Sequence, residues 1–267
     1  KGANYSYFGA RYYDSDLSVW LSVDPMSDMY PHQSPYMYCS GSPINRIDPT
    51  GESDSEFDDI YSIDTDGNVK LEKKTNDNYD VVYKKADYDK GNLNNGQKVS
   101  DKNILPNLSK NGVLYKVPDV RDAVTGEWTY NNLTRHEACS NNSTDMISLF
   151  VFLANASTNA EWRLSKNVFG EFNLSTFHDP FTSPNDGTLG LSTKSISWMI
   201  HSHPKARSGG EVAGMDGDRT SSLSYPAYYV YTPQSGYLFK LPNSRNSNVI
   251  HRGQSNGQVQ YFLNLLK

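Results

Sequence analysis

The chain has 267 residues, carries 25 Lys and Arg against 30 Asp and Glu for a formal charge of −5, and is 36% hydrophobic with 12% aromatic residues. A mean hydropathy of −0.67, with no run near ~20 consecutive apolar residues, excludes a membrane-spanning helix. The acidic balance, with a pI near 5.7, gives little electrostatic drive toward nucleic acid, and two cysteines, Cys39 and Cys139, cannot build a disulfide framework or a cysteine zinc cage.

The opening Lys1-Gly2-Ala3-Asn4-Tyr5 lacks a basic-then-apolar signal pattern and reads as the interior of a longer protein. The first fifty residues are dense in Tyr, Pro and Asp. Tyr5 to Tyr13 suits strands, and Asp24-Pro25, Asp48-Pro49 and Thr50-Gly51 punctuate them as turns. Glu52 to Asp59 reads as a solvated linker. Ile60 to Glu72 places Asp66-Gly67 between two alternating runs, a hairpin signal, and Tyr79 to Tyr83 is the next strand candidate. Lys84 to Asn103 has no apolar periodicity and is expected to be loop.

The second half carries the expected core. Ser143-Thr144-Asp145 is positioned to cap a helix over Met146 to Ala156, with Met146, Leu149, Phe150 and Leu153 on one face. Glu161 to Leu164, Ser195 to His201, Ala227 to Thr232 and Gly236 to Leu241 read as strands, the last two joined by the turn Pro233-Gln234-Ser235. Helix and strand in this order predict an α+β fold. No Walker or dinucleotide glycine pattern occurs.

The segment Ile200-His201-Ser202-His203-Pro204 carries the chemistry. Histidines at i and i+2 of a strand share a face, so two imidazoles can supply nitrogen ligands to one Zn2+, and Pro204 ends the strand. Gly214-Met215-Asp216-Gly217-Asp218 offers two candidate carboxylates for a third ligand. Glu137, a candidate base, reads rather as a helix-start charge. His178-Asp179-Pro180 reads as a turn, and His32 and His251 as surface residues, the latter in a polar tail.

Two resemblances follow from these motifs. The words YFGARYYD (Tyr7 to Asp14), W-L-S-x-D-P (Trp20 to Pro25), S-P-Y-x-Y (Ser34 to Tyr38) and S-P-I-N-x-I-D-P-x-G (Ser42 to Gly51) resemble the C-terminal end of the RHS repeat-associated core. In that family a β shell precedes this segment and a variable effector follows it. Some members cut themselves there with paired aspartates, whose motif positions Asp24 and Asp48 occupy. Glu52-Ser53 departs from the Leu or Met of cleaving relatives, which argues against self-cleavage. Residues 140 to 245 resemble JAMM (JAB/MPN) metalloproteases, and more particularly the JAB-like toxins found behind RHS cores. That resemblance implies a JAMM/MPN-like mixed sheet with flanking helices, with His201, His203 and Asp218 as zinc ligands, Asp216 being the rival to Asp218. It implies Glu161 as the base that deprotonates the zinc-bound water and Ser208 as the residue that steadies the oxyanion, although neither aspartate has Ser three residues before it.

The expected organisation is an RHS core segment over 1–51, a polar linker and hairpin region over 52–130, and a JAB-like metallopeptidase toxin domain over 131–267. The implied activity is that of a zinc-dependent peptidase or isopeptidase, the toxic tip of an RHS polymorphic toxin. Its implied setting is delivery into a neighbouring cell, with a protein or peptide substrate there, a cognate immunity protein, an upstream RHS shell, and neither nucleic-acid binding nor membrane insertion. The rivals are a metal-dependent nuclease toxin and a non-catalytic JAMM-fold binding module.

Overall fold

The structure is a computed structural model and describes residues 4–29, 31–43, 46–48, 50–52, 55–56, 59–74, 79–185, 189–190, 192–205, 223–241, 251–254 and 258–266. The chain divides into two compact units, residues 1–59 with 74–78, and residues 60–73 with 79–267.

The first unit holds a three-stranded antiparallel sheet, β1 (Tyr5–Tyr7), β2 (Tyr12–Asp14) and β3 (Val19–Trp20), and a two-stranded pair, β4 (Arg46–Ile47) with β5 (Ser55–Glu56). That pair places a strand inside the stretch expected to be solvated linker. Trp20 is buried, with Phe8, Tyr13 and Tyr38 set edge-on around it. The Arg11 guanidinium lies 4.3 Å from the Trp20 ring centre, and its Nη2 is 3.0 Å from a carboxylate oxygen of both Asp24 and Asp48. The two aspartates of the RHS-like motif therefore share one buried cation. Asp48 also accepts from the Gly51 amide at 2.7 Å, and Arg11 Nε donates to the Gly51 carbonyl.

The second unit begins with the expected hairpin, β6 (Asp59–Ile63) and β7 (Val69–Lys73). Its turn is closed by Asp64 accepting from the Asp66 and Asn68 amides, with Gly67 at φ +81°. Next comes β8 (Asp80–Lys84). The following polar tract is not all loop: it forms α1 (Lys85–Tyr88) and β9 (Gln97–Val99), which pairs with β8 and buries Val99 completely. These four strands lie in the order β7-β6-β8-β9. A short helix, α2 (Ile104–Ser109), then buries Ile104, Leu105 and Leu108.

The larger sheet has eight strands. In chain order they are β10 (Val113–Arg121), β11 (Trp128–Ser140), β12 (Trp162–Asn167), β13 (Phe172–Thr176), β14 (Ile196–Ser202), β15 (Tyr228–Thr232), β16 (Tyr237–Leu241) and β17 (His251–Gln254). Their spatial order is β10-β11-β13-β12-β14-β15-β16-β17. Every pairing is antiparallel except β14–β15, which is parallel, so the sheet is mixed as expected. The expected boundary between residues 130 and 131 falls inside β11. β17 also replaces the expected polar tail around His251 and is followed by α4 (Val259–Leu266), which buries Phe262, Leu263 and Leu266.

Helix α3 (Ser143–Ala156) starts earlier than its apolar run suggests. Its cap is Asn142, whose side chain accepts from the Asp145 amide at 3.1 Å. Besides the expected face it buries Ile147, Val151 and Ala154, as a helix covered on more than one side must. One core joins α2, α3 and α4 to the four-stranded sheet and to one face of the large sheet through Trp162, Leu164, Trp198, Ile200 and Tyr231. A smaller cluster (Met199, Tyr228, Val230 and Phe239) includes the opposite face of β14 to β16. Central strands covered on both faces read as nearly continuous apolar runs, as β14 and β15 do. No helix among the described residues is long and apolar enough to cross a membrane.

Candidate metal centre

Strand alternation sets the site. On β14 the residues Trp198 and Ile200 face the main core, so Met199 and His201 face the other way, and His203, just past the strand end, continues that face. The His201 and His203 rings are tilted by 52° with centres 4.8 Å apart, and their Nε2 atoms approach to 2.8 Å. His203 is fixed by its amide, which donates to the Tyr231 carbonyl at 2.7 Å and extends the parallel pairing by one residue. Gln234 in the β15–β16 turn donates to the Pro204 carbonyl at 2.7 Å, holding the proline that stops the strand.

Glu161 arrives from the antiparallel neighbour. The β12–β14 register sets Arg163 against His201, which brings Glu161, two residues earlier, level with His203. Glu161 Oε1 is 3.7 Å from His203 Nε2, and the ligating atoms of Glu161, His201 and His203 lie within 4.8 Å of one another. Glu161 is not on an edge strand: it directly precedes β12, which lies between β13 and β14. Its backbone is clamped, the amide donating to the Asp179 carbonyl at 2.8 Å and its carbonyl accepting from Thr176 Oγ1 at 2.7 Å. The neighbouring Ala160 is packed so closely against the hairpin turn that a Cβ on Gly67 would lie 2.8 Å from its own.

The residue types and their spacing fit a divalent metal. Tetrahedral zinc holds nitrogen ligands roughly 3.3 Å apart, given Zn–N bonds of about 2.0–2.1 Å, and the two Nε2 atoms already converge to 2.8 Å. Glu161 and His201 are 5% and 3% exposed, whereas His203 is partly open, so the group is sheltered with one side reachable.

The other expected participants are placed differently. Ser208, Asp216 and Asp218 lie outside the described residues. Glu137 is not a helix-start charge: it sits in β11 and accepts from Arg135 Nη2 at 2.7 Å and from Asn173 at 3.2 Å. His178 stands in a turn as expected, with φ +57°, and its ring meets His136 rather than His201 or His203. Sequence reasoning passed over Arg163, which is fully buried, opposite His201 on the same face, and donates from Nη1 to the Pro184 carbonyl at 2.9 Å. Its signal was a cation inside an apolar strand run, a position where charge is rarely buried without purpose.

No curated protein and no solved structure matches the chain. The mixed α+β architecture is consistent with a JAB-like fold, and residues 138–223, which contain Glu161, His201 and His203, match the family model described as JAB-like toxin 1.

Proposed function

We propose that the second unit is a zinc-dependent peptidase or isopeptidase of the JAMM type. In this reading it acts as the effector of an RHS polymorphic toxin delivered into a neighbouring cell, where its substrate is a protein or peptide. A cognate immunity protein protects the producer. The observation that carries the catalytic part is the convergence of two imidazole Nε2 atoms and the Glu161 carboxylate at one sheltered point.

His201 and His203 hold the ion, with Asp218 ahead of Asp216 as the third protein ligand. When bound, zinc supplies Lewis acidity that brings a water's pKa down to roughly 7 and polarises a carbonyl. Glu161 takes the proton from the attacking water and returns it to the leaving amine. Its clamped backbone holds the carboxylate at a set distance from the histidines, so little reorganisation accompanies the transfer. Ser208 is the candidate for steadying the oxyanion.

The test is Glu161→Gln beside wild type, expressed in a sensitive host and assayed for zinc and for cleavage of host proteins. The variant should fold and retain zinc while toxicity and cleavage fall by ~10²–10⁴, the usual contribution of a positioned acid–base group. Full toxicity with zinc bound would remove Glu161 as the base. Loss of zinc would make it a ligand instead. Wild-type toxicity accompanied by nucleic-acid degradation would favour a nuclease.

A further inference from the structure

A second pair of histidines lies in the same unit and belongs to no role assigned above. His136 is on β11, opposite Thr176, and His178 lies two residues beyond Thr176, with its amide donating to Thr176 Oγ1 at 3.0 Å. The two rings meet edge to face with centres 4.6 Å apart, and His136 Nδ1 is 2.6 Å from His178 Nε2. The geometry nearly repeats that of His201 and His203, although 42 residues separate the partners instead of two.

A proton count defines this contact. A neutral imidazole has one N–H. His178 places Nδ1 3.0 Å from the Asp66 carbonyl, which can only accept, so its N–H is spent there and its Nε2 is a bare acceptor. His136 Nδ1 therefore donates to it, and the 2.6 Å contact holds one proton between two converging nitrogens, a place that a metal ion can take once that proton moves to the far nitrogen of His136. A second proton is disfavoured, because burial pushes the pKa of both rings below the ordinary histidine value, an effect that nearby backbone carbonyls and, for His178, the charges of Asp64 and Asp66 offset only in part. A ring N–H given to a backbone carbonyl is also how metal-ligating histidines fix their tautomer.

We infer that His136 and His178 form a second divalent-metal site, binding an ion of the zinc, nickel and copper class through Nδ1 and Nε2, with water completing the coordination. Imidazole ligands suit that class. Water has a route, because the pair lines a cleft of about 420 Å³ whose walls include Ser109, Asn111 and Thr134. The ion would fasten three separate segments: the β6–β7 turn through Asp66, β11 through His136, and the segment after β13 through His178. The last of these supplies the Asp179 carbonyl that holds Glu161. The site is therefore structural, and with two protein ligands its ion exchanges more readily than one held by three.

The experiment is zinc titration of the full chain, with stoichiometry and thermal stability measured on wild type and two double variants. Wild type should bind about two ions, and His136→Gln with His178→Gln about one, as should His201→Ala with His203→Ala. Wild-type stoichiometry in the first double variant would overturn the inference, as would a single wild-type ion that is lost with His201 and His203. Should that variant fail to fold, wild-type crystals grown with zinc decide through anomalous scattering. A peak between His136 Nδ1 and His178 Nε2 supports the site, and none there while His201 and His203 show one rejects it. Loss of the His201 and His203 ion alone would bear on the proposed peptidase and leave this site standing.

Discussion

Ser202 lies between the two histidines in sequence but on the opposite face of β14, where its hydroxyl oxygen accepts from the buried Trp162 amide at 3.0 Å. Ser202→Ala would leave that amide without its acceptor, a loss of about 1–3 kcal/mol. Thermal unfolding should register the drop, and zinc stoichiometry should stay unchanged because the imidazoles point away. An equal loss of zinc would show that Ser202 orients the ligands. The pair His201 and His203 was legible because alternation along one strand is local information. Glu161 was legible only through resemblance, since its approach depends on β12–β14 register. Arg163 and the His136–His178 pair were not, because pairings across 38 and 42 residues leave no mark on nearby sequence.

Elements were legible in proportion to their apolar periodicity. The β6–β7 hairpin announced itself through Asp66-Gly67 and alternation. β9 did not, because it buries one side chain, Val99, and owes its existence to β8. Within the hairpin, Ser62 donates to Glu72 at 2.7 Å, and this bond, opposed by burial and aided by Lys70 and Lys85, holds the Glu72 carboxyl below its usual pKa. The unfolded chain therefore binds more protons across the interval between the two pKa values, and stability rises with pH there. The contribution is present above about pH 4.5 and fades as the pH falls through the folded value. Ser62→Ala should cost on the order of 1–2 kcal/mol at pH 7. In urea titrations the gap between wild type and variant should narrow below about pH 4, and a gap independent of pH would assign the loss to packing alone.

At the scale of the molecule, the α+β class was readable from the order of strands and helices, whereas the extent of the second unit was not. Residues 60 to 130 looked polar because their apolar side chains are sparse, yet Tyr61, Ile63, Val82, Val99, Ile104, Leu105 and Leu108 are each at most 2% exposed and belong to the main core. Burial of side chains of this size is worth about 1.5–3 kcal/mol each, so together they rival the whole stability of a typical domain. A chain starting at residue 59 should melt cooperatively and bind zinc. One starting at residue 131 should do neither, as circular dichroism and zinc titration would show. A folded 131–267 fragment would restore the shorter domain.

The irregularity in the β12–β14 ladder falls between Lys166 and Asn167, at the end away from Glu161, so the pairing beside the histidines is unbroken. Side chains alternate with a period of two, and a slip of one residue would put Ile200 and Ser202 where the imidazoles stand. The approach of Glu161 to His201 and His203 is thus a reading of strand pairing. Followed during refolding, it distinguishes chains that have found the right partner residues from chains that have merely formed sheet.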